Sequence, residues 1–176
     1  VGRVELRATG QVWIDQVQVY PDIAEKKIEI ALTVNSLLKD VEKAIVKIAV
    51  KGPSGKFPAM TKQVETVPAE IRLEYHLGNE MVLWDEHHPV LYELSVSLQG
   101  KSSSERFSDS RQVVFGMREI RVSGTQVAVN GKPVHLRGNV DCAIFPDHGY
   151  PPMDVAWWKR LWLLYKEWGM NLVRFH

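Results

Sequence analysis

The chain has 176 residues, and its 22 Lys plus Arg against 21 Asp plus Glu give a formal charge of +1. So even a balance offers no electrostatic attraction for nucleic acid or an anionic membrane surface, and no apolar run reaches the roughly 18 residues of a transmembrane helix. Cys142 is the single cysteine, which excludes an internal disulfide; neither a basic start with an apolar core behind it nor an Asn-x-Ser/Thr sequon is present.

From Val1 to about Gly116 the apolar residues mostly alternate, the period-2 mark of half-buried strands. Val12, Ile14, Val17 and Val19 fall in one stretch, and Ile28, Ile30, Leu32 and Val34 alternate strictly. Val41 to Val50 continue the pattern, with Ile48 and Val50 on one face. Lys51 to Lys56, holding Gly52, Pro53, Ser54 and Gly55, form a turn cluster. Ile71, Leu73, Tyr75 and Leu77 alternate again, Leu91 to Leu98 give a further strand, and Gln112 to Phe115 extend the series. About seven short strands with turn signals between them predict a mainly β fold, a two-sheet antiparallel sandwich of immunoglobulin-like architecture.

The pattern changes after Gly116. Glu119 to Val122 and Thr125 to Val129 read as a hairpin. Asn130-Gly131 is a strong tight-turn dipeptide, and Val134-His135-Leu136 reads as the return strand. Gly138 to Pro152 read as a loop. Asp154 is a good N-cap for a helix running to about Trp168, with Gly169 placed for a left-handed C-terminal cap. Four of the six tryptophans lie in this helix, at spacings that predict a packed core face. Met170 to Phe175 read as one more short buried strand. Strand, long loop, helix and strand in that order do not fit a sandwich; they predict the opening of an α/β domain.

Several stretches together resemble the glycoside hydrolases of family 2. Leu83-Trp84 followed by Pro89-Val90-Leu91-Tyr92-Glu93-Leu94 is similar to one of the family's sandwich strands. Phe115-Gly116-Met117-Arg118 is similar to its exit from the sandwich. Asn130-Gly131-Lys132-Pro133 with Leu136-Arg137-Gly138, then Pro146, His148-Gly149 and Met153-Asp154, are similar to the hairpin and loop that follow. Gly169-Met170-Asn171-Leu172-Val173-Arg174 is similar to the family's first barrel strand. More loosely, Val4-Glu5-Leu6 through Val19 is similar to the seam between a sugar-binding jelly roll and the sandwich.

The resemblance implies an internal piece of a glycosidase. Residues 1–19 would end a jelly roll or linker, 20–116 would form the sandwich, and 117–176 would open a truncated (β/α)8 barrel. It implies retaining chemistry on β-linked sugars, in which one carboxylic acid protonates the leaving oxygen and a second carboxylate attacks the anomeric carbon from about 5–5.5 Å away. Both glutamates would come from later strands, so this piece would be inactive alone. No cofactor or metal is expected. The expected partner is a carbohydrate in the full-length parent, in an extracytoplasmic, polysaccharide-processing setting; with the barrel missing, the orphaned helix 154–168 is expected to dock on its own sandwich, to pair with another copy or to be poorly ordered.

Arg174, by resemblance, would sit beside the nucleophile and help hold it ionised. His176 would contact the sugar, although it follows the arginine by two residues where the family often has three. Asp141 reads two ways, as an acceptor for sugar hydroxyls or as a loop-capping residue. Asn171 is expected to order the strand start, and Cys142 to be a small buried residue. Asp85-Glu86-His87-His88 lacks fixed ligand spacing on a rigid element and reads as a solvated turn rather than a metal site. The competing function is a non-catalytic β-sandwich that binds carbohydrate or another protein; the sequence after Gly116 gives such a module no obvious use.

Overall fold

A computed structural model describes Val4 and residues 6–176, so the Val4-Glu5-Leu6 part of the expected seam lies partly outside the described residues. The chain divides into two compact units between Glu119 and Ile120.

The first unit carries β1 (Val12–Asp22), β2 (Lys27–Ser36), β3 (Val41–Gly52), β4 (Gly55–Lys56), β5 (Met60–Val64), β6 (Ala69–His76), β7 (Tyr92–Ser102) and β8 (Arg106–Phe115). One sheet has the order β1-β2-β6; the other has β4-β3-β7-β8, with β5 also paired to β3. All these pairings are antiparallel. In immunoglobulin lettering this is A-B-E and C-F-G, a two-sheet antiparallel sandwich as the alternation predicted. Ile28, Ile30, Leu32 and Val34 of β2 face Ala44, Val46, Ile48 and Val50 of β3 and Leu94, Val96 and Leu98 of β7 within one core, every one of them buried. Each of the Val, Leu and Ile side chains contributes roughly 1.5–3 kcal/mol on leaving water.

The sandwich starts at Val12, earlier than the expected residue 20. The resemblance alone set that boundary, and β1 runs through it with a register shift in the β1–β2 ladder between Ile14 and Gln16. Before it the inward residues are Val12 and Ile14; after it the half-buried ones are Val17 and Val19. A bulge adds one residue and flips the parity. A second shift between Val41 and Lys43 does the same to β3. At the other end Met117 is fully buried in the sandwich core, so the first unit also runs past residue 116.

Two of the family-like motifs meet in this unit. Tyr92 is buried and stacks on Phe115, ring centres 5.3 Å apart. Its hydroxyl accepts from the Val82 backbone N–H at 2.7 Å and so anchors the loop before β7. In that loop the Trp84 N–H donates to the Met117 carbonyl at 2.9 Å. The Trp84 ring lies against Gly116, where a Cβ would come within 3.1 Å of it. Arg118 caps the same ring, its guanidinium 4.4 Å from the ring centre. The residues Asp85 to His88 form the expected turn: one Asp85 carboxylate oxygen accepts from the backbone N–H groups of His87 and His88 at 2.8 and 2.7 Å. These bonds hold its carboxyl below its ordinary pKa.

Candidate functional site

The second unit begins with β9 (Ile120–Ser123), β10 (Gln126–Val129) and β11 (Lys132–Pro133), in the sheet order β11-β10-β9. Asn130 and Gly131 take φ of 51° and 76°, the two positive values a tight primed turn needs. The return strand is Lys132–Pro133 rather than the expected Val134 to Leu136. The tight turn places Lys132 directly opposite Val129, so pairing starts at once, and Val134 adds only a single N–H bond to the Val127 carbonyl.

Then come β12 (Gly138–Asp141), α1 (Val155–Glu167) and β13 (Leu172–Phe175). The two strands are parallel and directly paired, Gly138 opposite Leu172 through Asp141 opposite Phe175. The sequence pattern predicts a loop from Gly138, so β12 is an addition. The parallel pair replaces the single strand expected at Met170 to Phe175. That strand was also expected to be buried. Leu172 and Arg174 are exposed on the face that α1 does not cover, and Phe175 is half-exposed on the face that it does.

The motif residues explain how the pair forms. The Asn171 side chain accepts from the Arg137 N–H at 2.9 Å and donates to the His135 carbonyl at 3.1 Å. The Arg137 carbonyl in turn accepts from the Asn171 N–H at 2.9 Å, and its Nε donates to the Gly169 carbonyl at 2.6 Å. Asn171 thus orders the strand start. Gly138 allows the close approach that follows; a Cβ there would meet the Leu172 backbone and side chain at 3.2 Å.

The helix is capped as expected. Asp154 accepts from the N–H groups of Ala156 and Trp157, and Gly169 takes a φ of 76°. No residue of α1 is buried, against the packed core face its spacing predicted. Trp162, Leu163, Leu164 and Trp168 are exposed, because the described chain offers only two short strands for the stripe to cover.

Strand alternation sorts the candidate residues. Asn139, Asp141 and Phe175 face α1. Tyr165 of the helix donates to Asp141 Oδ2 at 2.9 Å and accepts from Asn139 Nδ2 at 3.1 Å, while Phe175 meets Trp158 edge-on with ring centres 5.7 Å apart. Asp141 Oδ1 accepts from the Ala143 N–H at 2.7 Å, and the side chain is buried. Asp141 therefore holds the loop and the helix with both carboxylate oxygens. Burial and the Asp141 carboxylate raise the Tyr165 phenol above its ordinary pKa.

Arg174 stands opposite Val140 and points to the face away from α1. The ladder continues one step further, since the His176 N–H donates to the Asp141 carbonyl at 3.0 Å. His176 therefore follows Arg174 on the same face. The structure brings Arg174 and His176 together at the carboxyl end of the strands, the end at which α/β units bind ligands, and sets Asp141 behind them. Cys142 is exposed rather than buried. It leaves the strand just after Asp141, where Ala143 turns to a φ of 57°.

The family model described as Glycosyl hydrolases family 2 matches residues 12–118, more than half of the chain. The chain belongs to glycosyl hydrolase family 2. A curated β-galactosidase of Lactococcus lactis subsp. lactis (strain IL1403) is 30% identical over 92 residues, which is 52% of this chain and 9% of that protein. A β-glucuronidase 2 of Bacteroides uniformis superposes with a TM-score of 0.73 at 19% identity, over 94% of this chain and 21% of that one. A GH2 β-galacturonidase of Eisenbergiella tayi gives 0.73 at 18% identity, over 94% and 29%. The last two likenesses speak for the fold of both units. The chain spans less than a third of the length of each of these relatives.

Proposed function

We propose that this chain is the sandwich and barrel opening of a retaining glycosidase that hydrolyses O-glycosidic bonds of β-linked sugars. The β12-α1-β13 unit then forms the start of a (β/α)8 barrel preceded, beyond the sandwich, by a jelly roll. The observation that carries this reading is the family match over the sandwich combined with Arg174 and His176 on the helix-free face of a parallel strand pair. A closed barrel turns that face inward and does its chemistry at that end of the strands.

In this reading the acid and the nucleophile are carboxylates about 5–5.5 Å apart on strands beyond this chain. Arg174 lies beside the nucleophile and favours its ionised form, since a cation within about 4–6 Å stabilises a carboxylate. His176 hydrogen-bonds a sugar hydroxyl. Asp141, with both oxygens engaged under the helix, positions the strand pair and does not touch the sugar. The 176 residues alone supply no acid–nucleophile pair and should be inactive.

The test is an assay on aryl β-glycosides of this chain and of a longer protein that contains it. Turnover by the isolated chain above a mock-purified control would overturn the placement of the carboxylates elsewhere. An inert longer protein would overturn the glycosidase reading itself.

A further inference from the structure

We infer that the outward face of the β4-β3-β7-β8 sheet is a binding surface for an acidic polysaccharide, whose carboxylate or sulfate groups seat on its lysines. The surface lies wholly within the sandwich and uses none of the residues assigned to glycoside chemistry, so the inference stands apart from the glycosidase reading.

The formal charge of +1 hides a separation by face. In β3 the core takes Ala44, Val46, Ile48 and Val50, so alternation turns Lys43, Lys47 and Lys51 outward. These recur every fourth residue, roughly 13 Å apart along the strand. The ladders add further cations beside them. Lys56 of β4 stands opposite Lys51, Lys101 of β7 opposite Lys43, and Arg106 of β8 opposite Lys101. All of these cations are exposed. The carboxylates alongside are Glu93, opposite Lys51, and Glu42, which pairs with Lys101. Among the described residues Lys43, Lys47, Lys51 and Lys56 form no ion pair.

Three cross-strand pairs thus set like charge directly against like, an arrangement that destabilises a ladder. The other sheet of the sandwich shows the contrast. On its outward face Lys27 pairs with Glu74 at 2.8 Å, Arg72 pairs with Glu29, and Asp22 stands opposite Lys27. One face neutralises its own charges, and the other keeps cations in rows without partners. Repulsion that the fold leaves in place is relieved when an anion arrives, so it favours the bound state.

Between the cations the face suits hydroxyl groups. Ser95 and Ser97 of β7 stand opposite Gln112 and Ser110 of β8, and these four line a shallow groove. Their hydroxyls and carboxamides both donate and accept, as the hydroxyls of a sugar chain do. Lysine presents a compact charge on a flexible stem rather than a fixed fork, which suits anionic groups spaced along a flexible polymer. Nucleic acid fits this face less well. Single strands held on a sheet stack their bases on aromatic rings, and among the described residues no outward position of β3, β7 or β8 is aromatic. A duplex groove admits a helix or a two-stranded ribbon, not a broad sheet.

The test is a titration of the 176-residue chain at low ionic strength with polygalacturonate and chondroitin sulfate oligosaccharides, read by amide NMR. Dextran, duplex DNA and phosphatidylglycerol vesicles serve as comparisons. Saturable shifts are expected at residues 95–97 and 110–112 with an acidic glycan, weakened by added salt and absent with dextran. The two glycans separate carboxylate from sulfate recognition. Lys47→Gln combined with Lys51→Gln should weaken binding roughly three- to tenfold. The same pair should leave the urea midpoint unchanged or raise it, because it removes repulsion. Lys27→Gln, on the opposite face, should leave binding as it was. No shift with either acidic glycan, shifts that dextran reproduces, or full affinity in the double variant would overturn the site. DNA or vesicles that bind the same amides as tightly would overturn the assignment to a polysaccharide.

Discussion

Asp141 and Arg174 lie on the two adjacent strands β12 and β13 and point to opposite faces of that pair. Asp141 takes the Tyr165 hydroxyl and the Ala143 N–H under the helix, while Arg174 projects from the bare side. Deleting the carboxylate should therefore loosen the helix rather than a ligand. Asp141→Ala leaves a partly buried hydroxyl and a backbone N–H without their acceptor, at a cost of about 1–3 kcal/mol. Tyr165→Phe removes one hydroxyl and should cost about 1 kcal/mol. Hydrogen exchange across residues 138–176 reads both; faster exchange confined to this unit is expected, and unchanged exchange in Asp141→Ala would refute the clamp.

Tyr165 also makes the clamp sensitive to alkali. Its phenol is raised above the ordinary value first by burial and then by the Asp141 carboxylate. A raised folded-state pKa means that the contribution to stability is complete below the unfolded value of about 10 and is lost as pH rises through the folded value. The second unit should hold through neutral and mildly alkaline pH and open only above it. A phenolate absorbance titration of the chain against Tyr165→Phe isolates this group. A Tyr165 titrating at or below the free value would remove the cause.

Two glycines of the sandwich, Gly116 of a family-like motif and Gly100 within β7, make a second, independent prediction. At Gly116 a Cβ would press on Trp84, which is itself fixed by Arg118 and by its bond to Met117. Gly116→Ala should cost about 1–3 kcal/mol, the usual range for forced overpacking. At Gly100 the added carbon would overlap both the Phe107 ring and the Lys43 backbone carbonyl. A carbonyl in a ladder cannot swing aside as a side chain can, so Gly100→Ala should be the more damaging of the two. Urea denaturation of both variants checks the order, and a reversal would mean that the Trp84 loop is stiffer than the β3–β7 ladder.

Much of this molecule is legible in the sequence because the sandwich obeys period 2. Ile28 to Val34 and the run from Ala44 to Val50 point inward as written, and Asp154, Asn130-Gly131 and Gly169 perform the local tasks their types suggest. The failures have physical causes. The four residues of β12 hold Gly138, Asn139 and Asp141, poor strand formers that pair only because β13 lies alongside. Nothing local in the sequence announces a parallel partner more than thirty residues away. The same blindness hid Tyr165, whose helical position reads as core and whose hydroxyl partners come from β12. The alternation of Asn139 and Asp141 was the one available hint.

The exposed stripe of α1 leads to the last prediction. Trp162, Leu163, Leu164 and Trp168 are 49%, 61%, 48% and 76% exposed. Leu164 and Trp168, four residues apart, lie side by side on the helix, and exposed apolar neighbours of this size mark an association surface. The 176-residue chain by itself should therefore associate with a second copy through residues 154–168. Sedimentation velocity over a concentration series should show a rising weight-average mass. Leu163→Lys combined with Trp168→Lys should return the chain to a monomer without unfolding the sandwich, because neither side chain is buried and both lie in the second unit. In a longer protein, where further strands would cover the stripe, the same pair should instead lower the thermal midpoint. A chain that stays monomeric at every concentration with these tryptophans open to an aqueous quencher would contradict the association.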